Sequence, residues 1–198
     1  KIAGVMKGTT GIPQCSKCFE DGGASLIASS RLEQLEDAKE FGIKLPCLLL
    51  RVPMLSEIPE VVRITDVSLN SEIEVLKALN EEAGRQGKQH KVIIMADLGD
   101  LREGFWEDEM VEVALEVENN MDNLILGGVG TNLGCYGSIE ATADKLQELV
   151  DIAERIEAKI GRELEYISGG ATTSLPRIFD NDMPKRVNLL RVGEGILL

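Results

Sequence analysis

The sequence predicts an α/β fold of eight strand–helix units, the arrangement of a (β/α)₈ TIM barrel, and three observations carry that prediction. Eight short β-prone runs alternate with amphipathic helical stretches. The runs are continuously apolar, with no strict alternation, which marks parallel strands covered on both faces. No Pro/Ser linker or low-complexity tract interrupts the pattern, so residues 1–198 read as one domain. A doubly wound open sheet is the other arrangement such units allow, because a strand count alone does not close a ring.

The elements follow in order. Residues 2–6 (IAGVM) form the first strand, 25–28 (SLIA) the second, 47–50 (CLLL) the third and 66–69 (DVSL) a weaker fourth. The fifth is 91–95 (KVIIM), the sixth 124–129 (LILGGV), the seventh 163–167 (ELEYI) and the eighth 187–191 (VNLLR). Between them, 31–41 reads as a helix with Ser29 or Ser30 as N-cap and Gly42 as terminator. Residues 72–87 place Ile73, Leu76 and Leu79 at helical spacing, and 108–120 form another helix. The longest, 138–161, gathers Leu146, Leu149, Val150, Ile152 and Ile156 on one face and ends at Gly161.

Composition narrows the function. Lys+Arg number 21 against 34 Asp+Glu, a net charge of −13, which argues against a nucleic-acid binder. With 43% hydrophobic and 28% charged residues the chain can bury a core. No apolar run approaches the ~20 residues of a membrane helix, and no leader pattern opens the chain. Four Cys are too few for a disulfide scaffold, which points to a reducing, cytoplasmic setting. A full barrel usually takes about 250 residues. The shorter chain, apolar at both ends, reads as a barrel without one flanking helix, with an apolar groove expected where strands one and eight meet.

In a barrel, chemistry sits after the C-terminal ends of strands. Lys7 follows the first strand and either reaches to solvent or serves Schiff-base chemistry. Asp97, Asp100 and Arg102 follow the fifth, as a salt-bridged loop or with Arg102 as a fork for an oxyanion. Thr131, Asn132, Cys135 and Tyr136 follow the sixth; Cys135 is a small hydrophobe or a thiol that exchanges a proton. The Gly-bearing loops after strands seven and eight fall where barrels bind phosphate, or form ordinary turns. Cys15 and Cys18 form a C-x₂-C, but no second pair exists and His90 is the single histidine, so no metal site is expected. His90 precedes the fifth strand, away from that end, and Trp106 either covers the site or packs.

The strings LRVPMLSE (50–57), SLNSEIE (68–74), DLGDLREG (97–104), GTNLGCYG (130–137), ISGG (167–170) and LRVGEGILL (190–198) carry a resemblance. The chain resembles the fold-type III pyridoxal-phosphate enzymes, the alanine racemase barrel, and among them the alanine/ornithine racemase group. The resemblance implies an amino-acid racemase using pyridoxal 5'-phosphate on alanine, ornithine or a related amino acid, homodimeric at full length. It implies Lys7 as cofactor lysine and one acid/base, and Arg102 near the phenolic oxygen. Asn132, where alanine racemases place a histidine, would lie against the ring, and Arg191 would face the ring nitrogen. Ser168, Gly169, Gly170 and Thr172, with the backbone amides of Gly193 and Glu194, would bind phosphate. The family's C-terminal β-domain, which carries the second base, and its N-terminal helix have no counterpart here, so either segments outside these residues supply the second base or Cys135 or Tyr136 serves. A non-catalytic pyridoxal-phosphate protein of the same barrel, acting in cofactor homeostasis, is the alternative, and a phosphate-binding barrel enzyme without this cofactor a third.

Overall fold

A computed structural model describes residues 1–135 and 139–197. Eight parallel strands are present: β1 (Ile2–Val5), β2 (Leu26–Ser29), β3 (Cys47–Leu49), β4 (Val67–Asn70), β5 (His90–Met95), β6 (Leu124–Gly130), β7 (Tyr166–Ser168) and β8 (Leu190–Val192). They lie in the order β7-β6-β5-β4-β3-β2-β1-β8. β8 pairs with β1 through Ile2↔Leu190, Ala3↔Arg191 and Gly4↔Val192. The two ends of that order meet at a bridge between Ser168 and Leu189. The Gly169 amide donates to Leu189 and the Arg191 amide to Gly170, both at 3.0 Å. The ring therefore closes, and the open-sheet alternative is excluded.

Helices α1 (Pro13–Asp21), α2 (Leu32–Phe41), α3 (Ile58–Ile64), α4 (Ile73–Arg85), α5 (Met110–Asn120), α6 (Ala143–Ile160), α7 (Leu175–Phe179) and α8 (Glu194–Leu197) complete the units. The strand pleat divides the core into two layers. Inward side chains such as Val5, Leu26, Ala28, Leu48, Leu69, Ile93, Met95 and Tyr166 fill the barrel. Outward ones such as Ile27, Leu49, Val92 and Ile94 pack under Leu35, Leu76, Leu79 and Leu149 of the helices. Both pleat faces are dry, which is why the strands read as unbroken apolar runs.

Local chemistry sets the boundaries. α2 starts after Arg31 and not at a capping serine; Ser29 instead accepts from the Arg31 amide at 3.1 Å and donates to Gln34 at 2.5 Å. α6 starts later than its apolar pattern because Thr142 is the N-cap, accepting from the Lys145 amide at 3.3 Å. Gly42 and Gly161 close α2 and α6 in the left-handed region, as expected. The β5–β6 ladder shifts register between Val92 and Ile93. There a Cβ on Gly128 would lie 2.0 Å from the Tyr166 carbonyl oxygen, so glycine lets β6 approach β7.

The expected groove at the β1–β8 seam is not open on β8, whose Leu190 and Val192 are each 3% exposed. α8 lies over the barrel's C-terminal end, with Gly195 against Thr172 and Leu197 against Gly8. Among the described residues no helix is long and apolar enough to cross a membrane.

Candidate active site

The connections that follow the strands bring their residues to one cavity of about 430 Å³ at the C-terminal end of the barrel. Lys7 reaches it from a 3-10 turn, Met6–Thr9, that continues β1. Thr10 ends that turn in the left-handed region, its amide donating to the Lys7 carbonyl at 3.1 Å.

The loop after β5 folds back on its own strand. Phe105 pairs with Ala96, its amide donating to Met95 at 2.8 Å, while the Asp97 amide donates to Phe105 at 3.0 Å. Gly104, at φ +148, permits this, since a Cβ there would sit 2.2 Å from the Asp97 nitrogen. Asp97 organises the tip by accepting from the Gly99 and Leu101 amides at 2.9 and 3.1 Å. Asp97 thus builds the loop, Asp100 is buried, and Arg102 with Glu103 faces the cavity.

Arg191, on the inward face of β8, is the centre of the site. It is 4% exposed, and its acceptors are neutral. It donates to Ser168 Oγ at 2.5 Å, the Thr131 carbonyl at 2.9 Å and Asn132 Oδ1 at 2.6 Å. Burial pushes its pKa down to about 10, against the raising influence of Glu103, and it stays cationic at neutral pH. Asn132 turns its Nδ2 to Glu103 Oε1 at 2.6 Å. Arg102 donates to Cys135 Sγ at 3.0 Å, with its Nε 3.9 Å from Glu103. One network therefore runs from Ser168 through Arg191, Asn132, Glu103 and Arg102 to Cys135.

Lys7, Arg102, Asn132, Cys135, Thr172, Arg191, Gly193 and Glu194 share the cavity wall. Ser168 is fully buried behind Arg191 and is its acceptor. Gly169 abuts Val187 and Gly170 abuts Ser174, neither of them in the cavity lining. Tyr136 lies outside the described residues. His90 opens β5 at the opposite end, 2% exposed, its Nε2 2.9 Å from Ser68 Oγ. Trp106 is exposed beside Arg155, away from the cavity. Among the described residues no cluster could hold a metal ion. Glu103 and Thr173 also line the cavity with no role assigned from sequence; the one available signal was an acid adjoining Arg102 at a strand end.

The donor set fits an anionic aldehyde cofactor. An amine, two guanidinium groups, a threonine hydroxyl and the Gly193 backbone surround one cavity, and a Cβ on Gly193 would press within 2.9 Å of Val5. Fold and site together define a (β/α)₈ barrel whose strand ends gather an amine, two guanidinium groups and backbone amides around one cavity. The chain matches the family described as alanine racemase, N-terminal domain, over residues 1–197, and it belongs to that family.

It is 41% identical over 172 residues to ornithine racemase of Acetoanaerobium sticklandii, covering 87% of this chain and 48% of that protein. It is 37% identical over 198 residues to lysine racemase of Thermotoga maritima, covering 100% and 55%. The chain thus spans about half the length of these curated relatives. Among solved structures, alanine racemase of Clostridium difficile 630 aligns with TM-score 0.78 at 22% identity, over 98% of this chain and 50% of that one. PipY of Synechococcus elongatus PCC7942, solved with PLP bound, aligns with TM-score 0.76 at 14% identity, over 99% and 91%.

Proposed function

We propose that residues 1–198 form the cofactor-binding domain of a pyridoxal-phosphate-dependent amino-acid racemase, an isomerase whose substrate is ornithine, lysine or a related amino acid. The observation that carries this is the convergence of Lys7, Arg102 and Arg191 on one cavity. Lys7 would hold pyridoxal 5'-phosphate, with Arg102 toward its phenolic oxygen, Asn132 against its ring and Arg191 toward its ring nitrogen. The Thr172 hydroxyl and the backbone amides of Gly193 and Glu194 would receive the phosphate, with Ser168, Gly169 and Gly170 shaping that end of the site. When bound, the cofactor supplies an electron sink that acidifies the substrate α-carbon.

The chain's own residues decide how that sink is used. Arg191 donates and cannot accept a proton, so a ring nitrogen facing it stays unprotonated and the sink is tempered. That favours removal and return of one proton over deeper electron transfer. Lys7 moves the proton on one face as base and acid. Cys135, joined to Arg102 at 3.0 Å, serves the other face, with Tyr136 as the second candidate. The full-length protein acts as a homodimer in the cytoplasm; the relatives are bacterial enzymes and all four cysteines are free.

Absorbance near ~420 nm on adding pyridoxal phosphate, absent in Lys7→Ala, tests the cofactor reading. Wash-in of solvent deuterium at the α-carbon of D- and L-ornithine and lysine tests racemisation. The second reading is a non-catalytic pyridoxal-phosphate protein; the PipY chain, solved with PLP bound, has little beyond a barrel of this extent. Cofactor uptake without deuterium wash-in by the full-length protein favours it over the enzyme.

A further inference from the structure

We propose that Glu103 is a positioning residue of this site, holding the Asn132 amide so that its oxygen faces Arg191. The amide lies between opposite charges at equal distance: Asn132 Oδ1 accepts from Arg191 Nη2 at 2.6 Å, and Asn132 Nδ2 donates to Glu103 Oε1 at 2.6 Å. Turned over, it would set an NH₂ against a guanidinium and an oxygen against a carboxylate. Both contacts lie in a poorly screened place, because Arg191 is 4% exposed and the Glu103 side chain 15%. Arg191 is anchored on its far side by Ser168 Oγ and the Thr131 carbonyl, both buried. Asn132 therefore completes the set of acceptors that fixes the guanidinium, and Glu103 decides which end of Asn132 is presented. The carboxylate acts at one remove, through a neutral amide, and leaves Arg191 charged without pairing to it directly.

The consequence for cofactor binding rests on the reading given above; the hydrogen bond itself does not. Glu103→Gln with Asn132→Asp reverses donor and acceptor at the 103–132 contact, keeps an oxygen toward Arg191 and conserves net charge. We expect Asn132→Asp alone to raise the dissociation constant for pyridoxal 5'-phosphate about tenfold or more, by opposing two carboxylates. Glu103→Gln alone gives no tighter binding, and the double variant returns to within about threefold of wild type. If Glu103→Gln tightens binding by the factor that Asn132→Asp loosens it, the two charges act independently and the positioning role is overturned. Failure of the double variant to recover overturns it equally.

NMR of the cofactor-free protein gives a second readout. One Asn132 Nδ2 proton should resonate downfield and return toward the ordinary amide position in Glu103→Leu. An unmoved resonance sinks the inference whether or not cofactor binds. A wild-type protein that shows the bonded proton but takes up no pyridoxal phosphate sinks the cofactor reading instead.

Discussion

The two ends of the barrel use the same residue types to opposite purposes. At the N-terminal end, Lys91 meets Glu165 at 2.5 Å and Lys1 lies 4.5 Å above the Tyr166 ring, so charges there are paired at the surface around an aromatic plug. At the C-terminal end, Arg191 is buried among neutral acceptors, and Lys7 points into a cavity. Backbone geometry divides the same way. Of the three non-glycine residues with positive φ among those described, Thr10 and Leu101 flank the cavity residues Lys7 and Arg102. The third, Asn181, lies in the connection leading to β8 and is a residue type that tolerates the left-handed region. One end pairs its charges at the surface, and the other buries a cation among neutral acceptors and carries two strained turns.

The largest expected effect separates two lysines. Lys7→Ala should remove the ~420 nm band and lower racemisation by about 10³-fold or more. Lys91→Met should leave both untouched and shift unfolding free energy by about 1 kcal/mol or less, since it removes a surface pair. A Lys91 variant with impaired cofactor binding would break the division of labour. Next comes Cys135→Ala in the active full-length protein, expected to lower turnover about 10²-fold if the thiol is the second acid/base. Wild-type turnover in both Cys135→Ala and Tyr136→Phe would move that role outside residues 1–198.

The N-terminal end should answer to pH through stability. Burial lowers the His90 pKa from 6.5 to about 4. The unfolded chain therefore takes up this proton first as pH falls, and the folded state resists. The contribution is fully present above pH 6.5 and is lost as pH falls through about 4, amounting to about 3 kcal/mol. Urea titrations across pH 4–7 should show that loss, reduced in His90→Gln. If His90→Gln follows the same pH curve as wild type, the histidine carries none of it.

Much of this division was legible in sequence. The barrel was readable because both faces of each strand are covered; strand ends locate Lys7 and Arg102, and the family resemblance points to Arg191, which lies within β8. The errors have local causes. β7 and β8 begin later than their apolar runs. Leu164 is buried in a connection, its amide on Glu157, and Leu189 enters the barrel through a single bridge. The sequence marks α1 only as a helix start at its C-x₂-C and does not mark α3 and α7: each carries proline in its first turn, and nine, seven and five residues show little periodicity. Ser168 faces Arg191 and not the cavity because the pleat, invisible in a Gly-rich string, turns it inward. Glu103 escaped because its bond to Asn132 spans 29 positions and exists only where β5 and β6 lie side by side.

The smallest effect tests the strain. Thr10 is β-branched, adopts φ 53° and ψ 21°, and is exposed, so neither a buried contact nor its side chain accounts for the conformation. What holds it is the turn: its amide donates to Lys7 and the Gly11 amide to Met6, both at 3.1 Å. Left-handed backbone costs a β-branched residue roughly 1–3 kcal/mol, while glycine gives back part of any gain as unfolded-chain entropy. Thr10→Gly should therefore raise unfolding free energy by about 1 kcal/mol, seen as a higher denaturant midpoint at unchanged slope. The same variant should not improve racemisation, because the turn that aims Lys7 becomes easier to deform. Loss of stability would show that Thr10 is at ease there, and the contrast in strain between the two ends would rest on Leu101 alone.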